Sequence, residues 1–313
     1  MSSNDQGPVP RIVVAVCTFR RNEPLRRLLD AVDHNAEQLG CRARVGVVVV
    51  DDNPDRRAEA VCREYPQRFA LGLHYRPAGH GNISLARNLA LEAALPLSDW
   101  VAMTDDDCEP VDHWLEAYLD AQERLGTDTL TGPCLLEPAP GAPAWITDQP
   151  FLEDAQFRYP DGERLGVAAT NNSFIRSQFL VERPALRFDP ELGVLGGEDM
   201  VFFRSAVAQG MSIAFASAAA VVGHEPPERC RFGYQLRSRY WLGNTEFVTN
   251  RHLGEASRPR WIARGLKDLA VAITRPARRL ARGQAPQLRY ATAAAARAVG
   301  MLVGALGIRI PHH

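Results

Sequence analysis

Asp105-Asp106-Asp107 sets three carboxylates side by side directly after the run Trp100-Val101-Ala102-Met103-Thr104. Adjacent carboxylates repel one another, and a nearby cation removes most of that cost. A divalent ion that prefers oxygen ligands, Mg2+ or Mn2+, suits such a set and typically recruits substrate phosphates too. Without a ligand the same residues read as an acidic turn. Gly196-Gly197-Glu198-Asp199 opens a helical pattern further on. Its acids either favour the helix start through capping and the macrodipole, or present a general base on backbone freed by glycine. Val221-Val222-Gly223-His224 ends a strand-like run in a histidine, which is a hydrogen-bonded loop residue unless it meets the acidic cluster. Ala168–Arg176 is strand-like and carries two adjacent amides, Asn171 and Asn172.

These residues need a frame. Arg11–Phe19 is a β-branched run that includes polar Thr18, and Pro24 then starts a helix with Leu25, Leu28, Leu29 and Val32 on one stripe. Val45–Val50 is apolar throughout, as in a parallel sheet covered on both faces, and it ends in Asp51-Asp52-Asn53-Pro54. Leu71–Tyr75 is a weaker strand. A turn through Gly79-His80-Gly81 leads to Asn82 or Ser84 as cap of the helix Leu85–Ala94. The acid-tipped strand follows, then a helix through Trp114, Leu115, Tyr118 and Leu119. Repeated strand–helix units predict an α/β fold with a Rossmann-like, mostly parallel sheet flanked by helices. Ligands of such sheets bind at the carboxyl ends of the strands. The stretch Glu137–Gly166, rich in Pro, Gly and acids, reads as a long mobile loop.

The chain has 313 residues, 46% hydrophobic, enough for a full core. Six scattered cysteines lack zinc spacing. Met1–Pro10 has no signal-type apolar core, and no run approaches the ~20 apolar residues of a spanning helix. The reading is a cytoplasmic protein. From Ser257 onward lie 11 of the 36 basic residues and one of the 37 acids, Asp268, so an acidic body carries a basic tail. In that tail Ile262, Leu266, Leu269 and Ile273 recur at helical spacing beside Trp261, with Arg260, Arg264 and Lys267 on another face. Residues 258–282 therefore suit an anionic membrane surface, the alternative being a helical subdomain with solvated arginines. Ala298–Ile308, broken by glycines, reads as dipping into that interface or packing on a partner. The basic residues are not interleaved with stacking aromatics, which argues against nucleic acid.

Six segments occur in one order: Val16-Cys17-Thr18-Phe19-Arg20-Arg21, Val50-Asp51-Asp52-Asn53, Gly81-Asn82-Ile83-Ser84-Leu85-Ala86-Arg87-Asn88, Asp105-Asp106-Asp107, Gly197-Glu198-Asp199 and His224. In this order the chain resembles family-2 glycosyltransferases of the GT-A fold. Cys108-Glu109-Pro110 and Trp114-Leu115 are similar to the bacterial exopolysaccharide branch, of succinoglycan type. The likeness covers roughly residues 1–225, taken as the catalytic domain, with 226–313 as a basic helical extension.

The resemblance implies an inverting transfer of sugar from a nucleotide-diphosphate donor to an acceptor hydroxyl on a glycan, glycolipid or small molecule. Uridine is the default base, with thymidine and guanosine open. The backbone at Thr18–Phe19 and the carboxylate of Asp51 or Asp52 would hold the base. Arg20, Gly81, Arg87, Asn88, Asp105 and Asp106 complete the donor side, and Asp105, Asp107 and His224 are the implied ligands of Mn2+ or Mg2+. Asp199 is the implied base, Glu198 its support, and Asn171 and Asn172 the contacts to sugar hydroxyls. Two rival enzymes lack their loop. A nucleotidyltransferase needs a glycine-rich basic loop where Thr18-Phe19-Arg20-Arg21 stands, and a dinucleotide oxidoreductase needs G-x-G-x-x-G there. The non-enzyme alternative is an inert GT-A scaffold in a glycan assembly complex, and retention of Asp105, Asp107 and Asp199 together argues against it.

Overall fold

Two uninterrupted apolar runs make the middle of the sheet. β1 (Arg11–Thr18) and β2 (Arg44–Asp51) bury nearly every side chain on both faces, the burial expected of parallel strands covered by helices. Between them α1 (Asn22–Leu39) turns Leu25, Leu28, Leu29 and Val32 inward as one stripe. In this computed structural model residues 8–65, 67–153 and 158–311 are described.

The chain continues through α2 (Ala58–Cys62), β3 (Leu73–Pro77), α3 (Ile83–Ala94), β4 (Trp100–Asp105), β5 (Cys108–Pro110) and α4 (Trp114–Leu125). After β6 (Thr129–Thr131), β7 (Cys134–Pro138) and the short α5 (Trp145–Asp148) come β8 (Arg164–Leu165), β9 (Asn172–Arg176) and α6 (Ser177–Val181). Then follow α7 (Glu198–Ala208), β10 (Ile213–Phe215) and β11 (Val221–Glu225). Eight strands order as β3-β2-β1-β4-β9-β6-β10-β8. β3, β2, β1 and β4 run parallel, whereas β9 inserts antiparallel between β4 and β6. Residues 108–110 pair antiparallel with 221–223 in a smaller sheet. Asn82, one of the two expected caps, begins α3, its side chain accepting from Leu85 N–H.

Two units divide the chain. The first covers the chain to Leu135, then 158–193 and 202–223, and the second covers 136–153, 194–201 and residues from 224 on. The core of the first unit joins strand residues Val13, Val48, Met103 and Ile175 to Ala86, Ala90, Phe202 and Phe203 on the covering helices. Burying each of the larger side chains stabilises the fold by roughly 1.5–3 kcal/mol.

The second unit is built on α8 (Phe232–His252), α9 (Arg258–Leu280) and α10 (Leu288–Ala305). Gly243 of α8 lies against the Arg297 carbonyl and Gly300 of α10 against the Tyr240 carbonyl, so neither position has room for a methyl group. Packing qualifies one sequence reading here and corrects another. Gly300, Met301 and Gly304 of the stretch Ala298–Ile308 pack on the unit's own α8, while Val299, Leu306 and Ile308 of the same stretch stay exposed. Part of Glu137–Gly166 is packed as well: Ile146 and Phe151 join Cys230 and Tyr290 in a buried cluster, because Trp145 and Phe151 bring enough aromatic surface to require covering. The apolar stripe expected on α9 is split. Trp261, Gly265 and Ala272 are buried, while Leu266, Ile273 and Leu280, seven residues apart, stay exposed.

Candidate active site

Parallel register brings three polar strand ends to one edge. Thr18 of β1 pairs with Asp51 of β2, and Cys17 pairs with Asp105 of β4, so the tips of all three strands lie level. From this edge the chain turns sharply at Arg20, which adopts a left-handed φ of 59°. A side chain there costs about 1 kcal/mol or more, and such strain concentrates at functional sites. The turn returns Arg21 across the tip of β4. Its Nη1 donates to Asp106 Oδ1 at 3.0 Å and to Asp107 Oδ2 at 2.6 Å. Asp106 is buried and also accepts from the Thr18 hydroxyl at 2.7 Å. Burial pushes its carboxyl up to about 6, against the pull of Arg21. Asp105 is paired differently, with Nη2 of Arg87 at 3.2 Å, and that guanidinium, rooted in α3, lies 5.8 Å from the ring centre of Phe188. Arg20 itself reaches Asn53 at 3.4 Å and stacks over the half-exposed ring of Phe19.

The carboxylates of β2 are braces. Asp51, fully buried, accepts from Asn53 N–H, Ala58 N–H and the Tyr75 hydroxyl at 2.9–3.1 Å. Asp52 accepts from the backbone N–H groups of His80, Gly81 and Asn82 at 2.7–3.1 Å. Both carboxylates thus hold the loops that frame the edge. Gly81 contributes a bent backbone (φ 61°) to that frame. Asn88 braces the neighbouring stretch of chain as well. Its amide donates to Phe188 O at 2.8 Å and accepts from Phe188 N–H at 2.9 Å, so it clamps the strip carrying the ring beside Arg87.

Asn172 is the clearest correction. Its side chain, fully buried, accepts from Trp114 Nε1 and the Tyr118 hydroxyl and donates to the carbonyls of Pro133 and Ala219. Every bonding position of the amide is filled, so no sugar hydroxyl can use it. Asn171 sits half-buried in the turn before β9.

Glu198, Asp199 and His224 belong to the second unit. Gly196 and Gly197 have φ of 85° and 83°, and they pass so close to Trp241 and Thr249 that a side chain at either would clash. The Trp241 indole and Thr245 hydroxyl both donate to Leu195 O, at 2.9 and 3.2 Å. A loop held this firmly delivers Glu198, buried, and Asp199, half-buried, to the first turn of α7. Asp199 Oδ1 accepts from the N–H of Met200 at 2.7 Å. A carboxylate there is favoured by the helix macrodipole.

The family model for glycosyl transferase family 2 matches residues 13–181, more than half of the chain. The chain belongs to glycosyl transferase family 2. It is 30% identical over 236 residues to the succinoglycan biosynthesis protein ExoM of Rhizobium meliloti, covering 75% of this chain and 73% of that one. Crystal structures of S. aureus TarS 1–349 share its fold. The complex with UDP has a TM-score of 0.52 at 17% identity, over 95% of this chain and 92% of TarS. The complex with UDP-GlcNAc has a TM-score of 0.53 at 16% identity, over 93% and 89%. The fold is thus the GT-A type, and the protein is a glycosyltransferase.

Glycosyltransferases of this fold commonly use a divalent metal. The tip of β4 fits one: Asp105 and Asp107 offer hard carboxylate oxygens with side-chain exposures of 38% and 19%. Phosphate oxygens and water are the natural complements of these two carboxylates around such an ion. Sequence reasoning assigned no role to Arg21 or to the Thr18 hydroxyl, although two adjacent arginines after a polar strand end were a visible signal.

Proposed function

We propose that this glycosyltransferase is an inverting enzyme of bacterial polysaccharide or glycolipid synthesis. It moves a sugar from a nucleoside-diphosphate donor, UDP before dTDP or GDP, to an acceptor hydroxyl. One observation carries the reading: the level tips of β1, β2 and β4 gather Asp105 and Asp107 beside the guanidinium groups of Arg21 and Arg87. Alternating carboxylates and guanidiniums suit a diphosphate bound with a divalent ion. The relatives agree in kind, one named for succinoglycan biosynthesis and one crystallised with UDP-GlcNAc.

In this reading the backbone at Thr18–Phe19 and the exposed face of Phe19 receive the base, inside the frame held by Asp51 and Asp52. Asp105 and Asp107 hold the metal, which when bound offsets charge growing on the leaving diphosphate. Arg87 orients the diphosphate with its planar fork. The acceptor oxygen attacks the anomeric carbon from the face opposite the departing diphosphate oxygen, which inverts that centre. Asp199 takes the hydroxyl proton as the new bond forms, and Glu198 supports it. Asp199→Asn keeps size and hydrogen bonding but removes the base. Transfer, read as nucleoside diphosphate release, should fall by about 10²–10⁴-fold while calorimetric donor affinity stays within about threefold. Full turnover in that variant removes Asp199 from the mechanism.

The tail supports a second contact, with an anionic membrane surface where lipid-linked acceptors lie. Among the described residues no helix is long and apolar enough to cross a membrane. α9 instead exposes Leu266, Ile273 and Leu280 on one line, with exposed Arg260, Lys267 and Arg278 beside it.

A further inference from the structure

The opposite edge of the sheet, where β1 and β4 begin, carries a polar cleft of its own. It measures about 420 Å³ and lies among Arg11, Asp99, Trp100, Gln122, Arg176 and Gln178, all in the first unit. That volume falls within the ~300–1,000 Å³ of small-molecule sites. Arg11 opens β1, and Arg176 closes antiparallel β9 opposite Trp100, so register sets both guanidiniums at one edge. Asp99 aims Arg11, accepting from Nε at 3.3 Å and Nη2 at 2.8 Å, which leaves Nη1 over. Arg176 is held otherwise. Its guanidinium lies 5.2 Å from the ring centre of Trp100, which itself stacks on Phe174. Asp128 Oδ1 stands 3.9 Å from its Nε, too far for a hydrogen bond, and Oδ2 is taken by the N–H and hydroxyl of Ser212. Among the described residues nothing accepts a hydrogen bond from this guanidinium, although its Nε is buried and its side chain only 39% exposed.

We propose that this cleft binds a saccharide carrying one anionic group, a phosphate or a carboxylate, at a site separate from the donor. Two arginines against one aspartate leave the lining a net charge of +1, which matches a single anionic group better than a diphosphate. The planar fork of Arg176 and the spare nitrogen of Arg11 take the anion in charge-assisted bonds. Gln122, half-buried, and Gln178, exposed, bring amides that both donate and accept, as sugar hydroxyls require. Trp100 is buried, so the cleft offers no aromatic face to a nucleobase. β1 runs eight residues from Arg11 to Thr18, and at ~3.3 Å per residue the cleft lies about 23 Å from the strand tips. A ligand here and a donor at the tips can be bound at once.

Calorimetry on the full chain, with and without excess UDP and MnCl2, tests this. Glucose 6-phosphate and glucuronate are the probes, glucose is the neutral control and inorganic phosphate the bare anion. At least one charged sugar should bind about tenfold or more tighter than glucose, the size expected of charge-assisted bonds. Arg176→Gln, checked for a native melting transition, should lose about tenfold in that affinity, and Arg176→Lys, which keeps the charge, should lose less. Gln122→Ala should weaken the charged sugar by about threefold or more yet leave inorganic phosphate unchanged, a split that general unfolding does not produce. Tighter binding of glucose 6-phosphate marks a phosphorylated metabolite as the source, and tighter binding of glucuronate marks an acidic glycan unit. The site is refuted if neither charged sugar binds better than glucose, or if folded Arg176→Gln binds as the wild type does. Binding that UDP and Mn2+ abolish belongs to the donor side and refutes it as well. If Gln122→Ala changes nothing, the cleft takes bare anions and the saccharide is refuted.

Discussion

Carboxylates of one type take three different jobs at the edge of this sheet, and their partners decide which. Asp51 and Asp52 accept backbone N–H groups and brace loops, Asp105 and Asp107 face guanidiniums with partial exposure, and Asp106 is sealed beneath Thr18 and Arg21. Sequence alone distinguishes none of them. Asp106 also gives a pH dependence. Its folded value of about 6 lies above the ordinary carboxylate value of 3.8, so the folded chain holds that proton more tightly than the unfolded one. The stability this proton contributes is complete below about 4 and is lost as pH rises through about 6. Asp106→Asn cannot titrate. The stability difference, wild type minus Asp106→Asn, should therefore fall by on the order of 2 kcal/mol between pH 4 and pH 7 and stay flat above. Urea melts across that range measure it, and a difference independent of pH would show Asp106 ionised throughout.

Elements were legible where one physical rule dominates. The continuous β-branched runs of β1 and β2, the helical stripe of α1 and the Asn82 cap of α3 follow from periodicity and hydrogen bonding that operate within a few residues. The glycines of α10 did not yield to that logic. They read as interruptions in a lipid-seeking segment, but their purpose is close approach to the backbone of α8, which no local pattern records. Gly300→Ala adds a methyl group that overlaps the Tyr240 carbonyl, so it should destabilise the protein by about 2 kcal/mol as the helices part. Thermal and urea melts read this, and an unchanged stability would mean that the two helices are not in contact. The exposed line on α9 was half legible in the same way: its spacing is in the sequence, but which apolar residues the neighbouring helices cover is not.

At the scale of the whole molecule an acidic body and a basic tail coexist in a chain whose formal charge is only −1. If the tail serves an anionic surface, the protein should float with phosphatidylglycerol-containing liposomes at low salt and be released at high salt, since screening shortens the attraction. Leu266→Ser combined with Ile273→Ser and Leu280→Ser should abolish flotation, because all three side chains are already in solvent. Absence of wild-type binding at low salt would leave the tail a structural extension. By itself the sequence determined the family, the first four strands along the chain and the acidic tips of two of them, because apolar periodicity and strand-end motifs are written over a few neighbouring residues. Only the tertiary structure decided which polar groups remain available for chemistry. The partners that satisfy Asp106 and Asn172 lie 88 and 58 positions away along the chain, and a hydrogen bond across such a distance exists only once the sheet has brought the two together.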